Sequence, residues 1–181
     1  MAEPKPFTPV KLVCGVISGE ERLYHAVKAR LVDVHGPADL ESPAFAFDST
    51  DYYAGEMGAD LTRRFMSFEC LVEPEMLPEI KLGTNALELR MAKEEGRAGR
   101  RPVNIDPGYL TAASLVMATT KEFSHRIPLA SGIYAHLELL FTKTDVRLLE
   151  WTYPDMRQEG CRKFFLEVRR AYLKQLKAPA A

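Results

Sequence analysis

"VNIDPGYLTAASLVMATTKEFSHRIPL", residues 103–129, is where the fold is decided. Val103 and Ile105 alternate as in a strand, and a Pro107-Gly108 pair follows. Leu110, Ala113, Met117 and Ala118 then recur at helical spacing, while the β-branched Val116, Thr119 and Thr120 suit a strand. Read as a helix, residues 107–119 rise about 18 Å and carry the chain across the molecule. Asp106 is then the N-cap and Pro107 the first helical residue, where its missing N–H costs nothing. Lys121, His125 and Arg126 emerge on the opposite side from Asp106.

Upstream, KLVCGVI (11–17) is short, apolar and β-branched, the mark of a buried strand. SGEE (18–21) has the spacing of a capping box and opens a helix with Leu23, Val27, Leu31 and Val34 on one face, stopped at His35-Gly36-Pro37. AFAFD (44–48) alternates as a second strand, and a polar loop (48–60) leads to RRFMSFECLV (63–72) as a third. Pro74 and Pro78 introduce a second long helix carrying Ile80, Leu87 and Met91, which ends at the arginine-rich EEGRAGRR (94–101). With the strand at Val103 and Ile105 the order is βαββαβ, the split-βαβ, ferredoxin-like pattern.

Downstream, RIPLASGIYAHLELLFTKTDVRLLEW (126–151) reads as an antiparallel β-meander turning at Ser131-Gly132 and Lys143-Thr144. Ile133, Ala135, Leu137, Leu139 and Phe141 form its inward face. WTYPD (151–155) precedes a C-terminal helix, N-capped by Asp155, whose stripe is Phe164, Val168, Ala171 and Tyr172. The expected fold is therefore α+β: a ferredoxin-like half extended by the meander and a closing helix. It forms a single domain over 1–181, with a flexible N-terminal arm (1–9) and tail (177–181).

Lys and Arg (24) nearly balance Asp and Glu (25), which excludes a general field for nucleic acid or anionic membrane and leaves only local patches. Cys14, Cys70 and Cys161 match no metal spacing and sit in apolar runs, as buried reduced thiols do. No apolar run approaches a membrane span, and a cytoplasmic location with no membrane partner is expected.

In the split-βαβ reading one sheet edge gathers Asp48, Asp51, Tyr52, Tyr53, Glu56, Arg100, Arg101, Lys121, His125 and Arg126. Guanidinium groups grip phosphate or carboxylate in a two-pronged fashion, and a histidine beside carboxylates moves protons near neutral pH. Arg100, Arg101, Lys121 and Arg126, with Tyr52 and Tyr53, are the expected ligand contacts, and His125, Asp48 and Asp51 the expected catalytic groups. Asp48 and Asp51 also have the spacing to hold Mg²⁺, which takes one or two protein carboxylates. The function expected is binding or turnover of a small phosphorylated or nucleotide-type ligand. The alternative is a non-catalytic RNA- or protein-binding module using the basic turn, the tyrosines and Trp151. Each residue also has a plainer reading: Asp48 and Asp51 as turn residues, 94–101 as a solvated turn, His125 as hydrogen-bonded structure. No P-loop occurs, and His25 and His136 stand isolated.

FDSTDYYAGEMG (47–58), IKLGTNALE (80–88), the stretch 103–135 and WTYPDM (151–156) together resemble the bacterial domain-of-unknown-function family numbered 4416. The resemblance runs over almost the whole chain and implies a small, single-domain bacterial protein. It assigns no residue a role, and Ser114 and Pro128 depart from its pattern.

Overall fold

β1 (Val10–Ser18) is buried along its whole length, because it lies at the centre of the sheet with helices on both faces. The computed structural model describes residues 3–48, 54–58, 60–97 and 100–178. The elements after β1 are α1 (Glu21–His35), β2 (Ala38–Glu41), β3 (Phe45–Ala46), α2 (Ala54–Met57), β4 (Thr62–Val72), α3 (Leu77–Glu94) and β5 (Val103–Leu110). β6 (Ser114–Thr119), β7 (Arg126–Ala130), β8 (Ile133–Phe141), β9 (Val146–Leu148) and α4 (Glu159–Gln175) complete the α+β fold. Short 3-10 turns cover Pro74–Met76 and Pro154–Arg157. The strands make one antiparallel sheet in the order β2-β4-β1-β5-β6-β8-β7, with β3 against β4 and β9 against β8.

Alternation along the strands sorts the core into two layers. Leu12, Cys14, Val16, Val103 and Ile105 meet Leu23, Val27 and Leu31 of α1 and Ile80 and Met91 of α3. On the other face Val13, Phe65, Leu110, Met117 and Leu139 meet Cys161, Phe164, Phe165 and Val168 of α4. Burial pushes the Cys14 thiol up to about 12, so it is an inert packing group, whereas Cys70 is exposed, against expectation.

Several sequence expectations change. Residues 107–119 are not a helix: they finish β5, turn at 111–113 and return as β6, so the β-branched residues outweigh the helical spacing. Asp106 caps nothing and sits inside β5, opposite Gly15. The strand expected over 44–48 is only Phe45–Ala46 (β3), and an unexpected strand, β2, precedes it at Ala38–Glu41. The capping box does not form, because Ser18 is still in β1; its Oγ accepts from the Glu20 N–H at 3.0 Å. Val34 faces solvent. Asp155 lies within the 3-10 turn, buried, and does not cap α4. The meander's strands and turns are as read, and its Ser131-Gly132 turn has φ of 53° and 75°, the positive pair that a two-residue hairpin turn demands. Its single inward face is not: a register shift against β6 at Glu138 leaves Leu139 and Phe141 in the layer under α4, while Ile133, Ala135 and Leu137 pack with Leu77 of α3, Val116 and Ala118.

The sheet forks at one place. β5 and β6 pair only from Gly108↔Met117 to Leu110↔Leu115, and beyond that point they part. Gly108 makes the last close contact: a Cβ there would stand 2.5 Å from Met117 Sδ and 2.5 Å from the Val116 carbonyl oxygen. Past it, the β5 backbone finds substitutes on α3. The Ile105 N–H donates to Glu88 Oε1 at 2.7 Å, and its carbonyl accepts from Lys81 Nζ at 2.8 Å. Buried backbone groups must be satisfied, and these two side chains, two turns apart on one helical face, replace the missing strand. By the two-residue period the N–H of position 107 would point into the same gap, and Pro107 has none to leave unpaired.

Candidate functional site

The parting of β5 and β6 opens a cavity of about 410 Å³. β4 contributes Arg63, α3 contributes Lys81 and Asn85, and the approach to β5 contributes Arg101. Asn104 and Asp106 come from β5, Thr119 to Lys121 from the end of β6, Arg126 from β7, and Tyr153 and Asp155 from the segment before α4.

The floor is an ion-pair network. Arg63 is buried, bridging Asp155 at 2.5 Å and Asp106 at 2.5 Å, with its guanidinium carbon 5.2 Å from the centre of the Phe47 ring. Asp106 also takes Lys81 at 3.4 Å and the Asn104 amide at 2.8 Å. Burial alone would raise its pKa, but the Lys81 and Arg63 charges outweigh that and hold the carboxyl below its ordinary value. The opposite happens at Glu88, where burial dominates the opposing Lys81 charge and the Ile105 N–H, and the pKa is raised. Arg101 pairs with Glu56 at 2.9 Å and Glu88 at 3.1 Å.

Arg126 differs from these cations. Its Nε donates to His136 Nδ1 at 3.2 Å, one terminal nitrogen to the Lys121 carbonyl at 2.8 Å, and the other to the Tyr153 hydroxyl at 3.1 Å. All three acceptors are neutral, so among the described residues its charge meets no carboxylate.

Behind Arg126 lies a second polar layer. His136 and Glu138 are buried on β8, their facing atoms Nε2 and Oε2 2.7 Å apart but outside hydrogen-bonding geometry. Glu138 Oε1 accepts the Tyr153 N–H at 2.6 Å, and the Tyr153 ring stacks on His136 with centroids 4.8 Å apart. His125 Nε2 also lies 3.2 Å from His136 Nδ1, and its ring stacks on Trp151 at 4.7 Å. Burial, then the charges of His136 and Arg126, lower the His125 pKa and favour its neutral form.

The structure thus brings Arg101, Lys121 and Arg126 to one cavity and sets His125 just outside it, behind Arg126. Arg100 is exposed and does not line it. Asp48 is exposed next to the lining residue Phe47, while Asp51, Tyr52 and Tyr53 lie outside the described residues. No group of three or more His, Cys, Asp or Glu able to hold a metal ion occurs among the described residues. Asp106, a cap on the far side by its sequence, is at the centre. His136, isolated by its sequence, contacts both His125 and Arg126. His136 and Glu138 carry one signal in the sequence: they are two apart on a strand, hence on one face by alternation. The alternation of the meander makes that face the outward one.

No helix of the described residues is long and apolar enough to cross a membrane. No curated protein and no solved structure matches the chain. Residues 8–172 match the protein family described as Domain of unknown function (DUF4416), and the chain belongs to that family.

Proposed function

We propose that this is a cytoplasmic bacterial protein that binds a small phosphorylated or nucleotide-type anion in the β5–β6 cavity. The observation that carries the reading is Arg126: it lines the cavity and is held by three neutral acceptors, so its charge is available to a ligand. Lys121 and Arg101 line the same space, and the volume suits a small molecule and not a polymer. Asn85, Asn104, Thr119 and Thr120 add amide and hydroxyl groups for orientation. Because His125 does not line the cavity, binding is favoured over turnover. We also read β1 to β5 as a ferredoxin-like split βαβ half, extended by the meander and α4; the order β2-β4-β1-β5 supports this.

The test is calorimetric titration with orthophosphate, pyrophosphate and mononucleotides, with and without Mg²⁺, at constant ionic strength. At least one should bind, and Arg126→Ala should weaken it at least about tenfold, the scale of losing hydrogen bonds from a charged group. No binding by any of them would sink the proposal. Tight RNA binding that falls steeply with salt, with no small-anion binding, would favour the alternative module.

A further inference from the structure

His136 has one ring nitrogen with two suitors. Arg126 Nε and His125 Nε2 each stand 3.2 Å from its Nδ1. An arginine N–H is an obligatory donor, so in the neutral imidazole Nδ1 is the acceptor and the proton sits on Nε2. That nitrogen faces the buried carboxylate of Glu138 at 2.7 Å. The groups facing His136 are Glu138 on its own strand, Arg126 on β7, His125 before β7, and Tyr153 from the segment before α4; Asp106 and Arg63 act on Tyr153 from beyond it.

Resting on the anion-binding reading of this cavity, we propose that His136 is a positioning residue that holds the Arg126 guanidinium ready for the anion. Protonation of His136 transfers its Nδ1 from Arg126 to His125, and anion binding weakens on acidification. The proton comes from solvent and adds to Nδ1. Arg126 Nε–H and His136 Nδ1–H are then two donors face to face, and the first contact breaks. His125, whose own pKa is lowered by burial and by the neighbouring His136 and Arg126 charges, is the better acceptor of the two and takes the new bond through Nε2, with its own ring proton on Nδ1. Glu138 balances the new charge, so little of it reaches the cavity. Arg126 keeps only the Lys121 carbonyl and the Tyr153 hydroxyl and loses the contact that fixes its Nε edge.

The sign of the pH effect separates this device from ordinary electrostatics. A cavity that only gathers positive charge binds an anion more tightly as histidines protonate. This one should bind more weakly.

Sulfate is the probe, because it stays a dianion throughout the range used. From about pH 8 to about pH 5 its dissociation constant should rise about tenfold in the wild-type protein, across the range where histidines titrate. His136→Asn keeps an amide oxygen near Nδ1 but cannot take up a proton there; it should bind sulfate with little pH dependence. Tightening on acidification, or a His136→Asn profile identical to wild type, overturns the inference and leaves the anion site standing. Absence of sulfate binding at every pH sinks the anion reading and the proposed consequence with it. Nitrogen NMR of the ligand-free wild-type protein tests the exchange itself, and needs no variant. At about pH 8 it should show the Nε2–H tautomer of His136, and the Arg126 Nε resonance should move from a hydrogen-bonded position toward that of a free arginine by about pH 5. An Nδ1–H tautomer at the alkaline end, or an Arg126 signal indifferent to pH, overturns it.

Discussion

Near the start of β1, Lys11 is fully buried between Asp39 and the side-chain oxygen of Gln175, and Ser67 Oγ donates to the other Asp39 oxygen at 2.5 Å. Three residues from the end of the same strand, Gly15 faces Asp106, where Arg63, Lys81 and Asn104 converge. Both are buried charge clusters, and both tie strands to a helix. The first is closed: its cation has no exposed surface and is matched by a carboxylate. The second borders open space and has Arg126 beside it, held among the described residues by neutral partners only. Burial of charge is common to structure and to sites; surplus charge next to room for a ligand belongs to sites.

The largest effect should come from closing the space at its hinge. Gly108→Ala puts a methyl 2.5 Å from the Val116 carbonyl oxygen and from Met117 Sδ, and a backbone atom cannot swing aside. The strands must separate, and unfolding stability measured in urea should fall by about 3 kcal/mol, the upper range of overpacking. Met117 lines the cavity, so anion binding should weaken as well. A variant as stable as wild type would show that the fork is not set by this contact.

Lys11→Met comes next and separates the two clusters. It leaves the Asp39 carboxylate without its cation, but that side chain is about a fifth accessible and keeps Ser67, so the loss should be about 2 kcal/mol, below the usual value for breaking a buried pair. Anion affinity in the folded variant should not change. A parallel loss of affinity would mean that the clusters are coupled through β1, and the contrast between closed and open would fail.

Much of this fold is legible in the sequence. β1 announces burial on both faces by its unbroken apolar run, and the meander announces itself by alternation and a Ser-Gly turn, because those signals are local. The fork does not. Asp106-Pro107-Gly108 looks like a helix start, since an acid before proline is a good cap; in the protein the same proline suits a strand whose neighbour has left, and the same glycine lets that neighbour approach just before. Which reading holds depends on β6 and α3, and no local pattern contains them. The candidate site divides likewise. Lys121 and Arg126 fall together in both readings, because charge after an apolar run tends to end at an edge. His136 and Glu138 stay hidden, because alternation says which residues share a face, not whether that face is covered. Tyr153, stacked on His136, covers it.

The smallest effect sharpens how the open cluster is held. Glu88 has a raised pKa, so across the window between its ordinary value and the raised one the folded protein binds more protons than the unfolded chain. Its contribution to stability therefore declines as pH rises through that window. Asp106, with a lowered pKa, works the other way: its contribution is full above the unfolded value and is lost as pH falls through the folded one. Glu88→Gln keeps an oxygen for the Ile105 N–H and removes only the titration. Urea unfolding at a series of pH values should show the variant gaining on wild type as pH rises from about 4.5 to about 7, by less than about 1 kcal/mol in all, since part of the carboxylate's charge is already met by Lys81 and Arg101. A difference that stays constant with pH would mean that Glu88 holds its proton no more tightly in the folded protein than in the unfolded chain, and that the charges of Lys81 and Arg101 fully offset its burial.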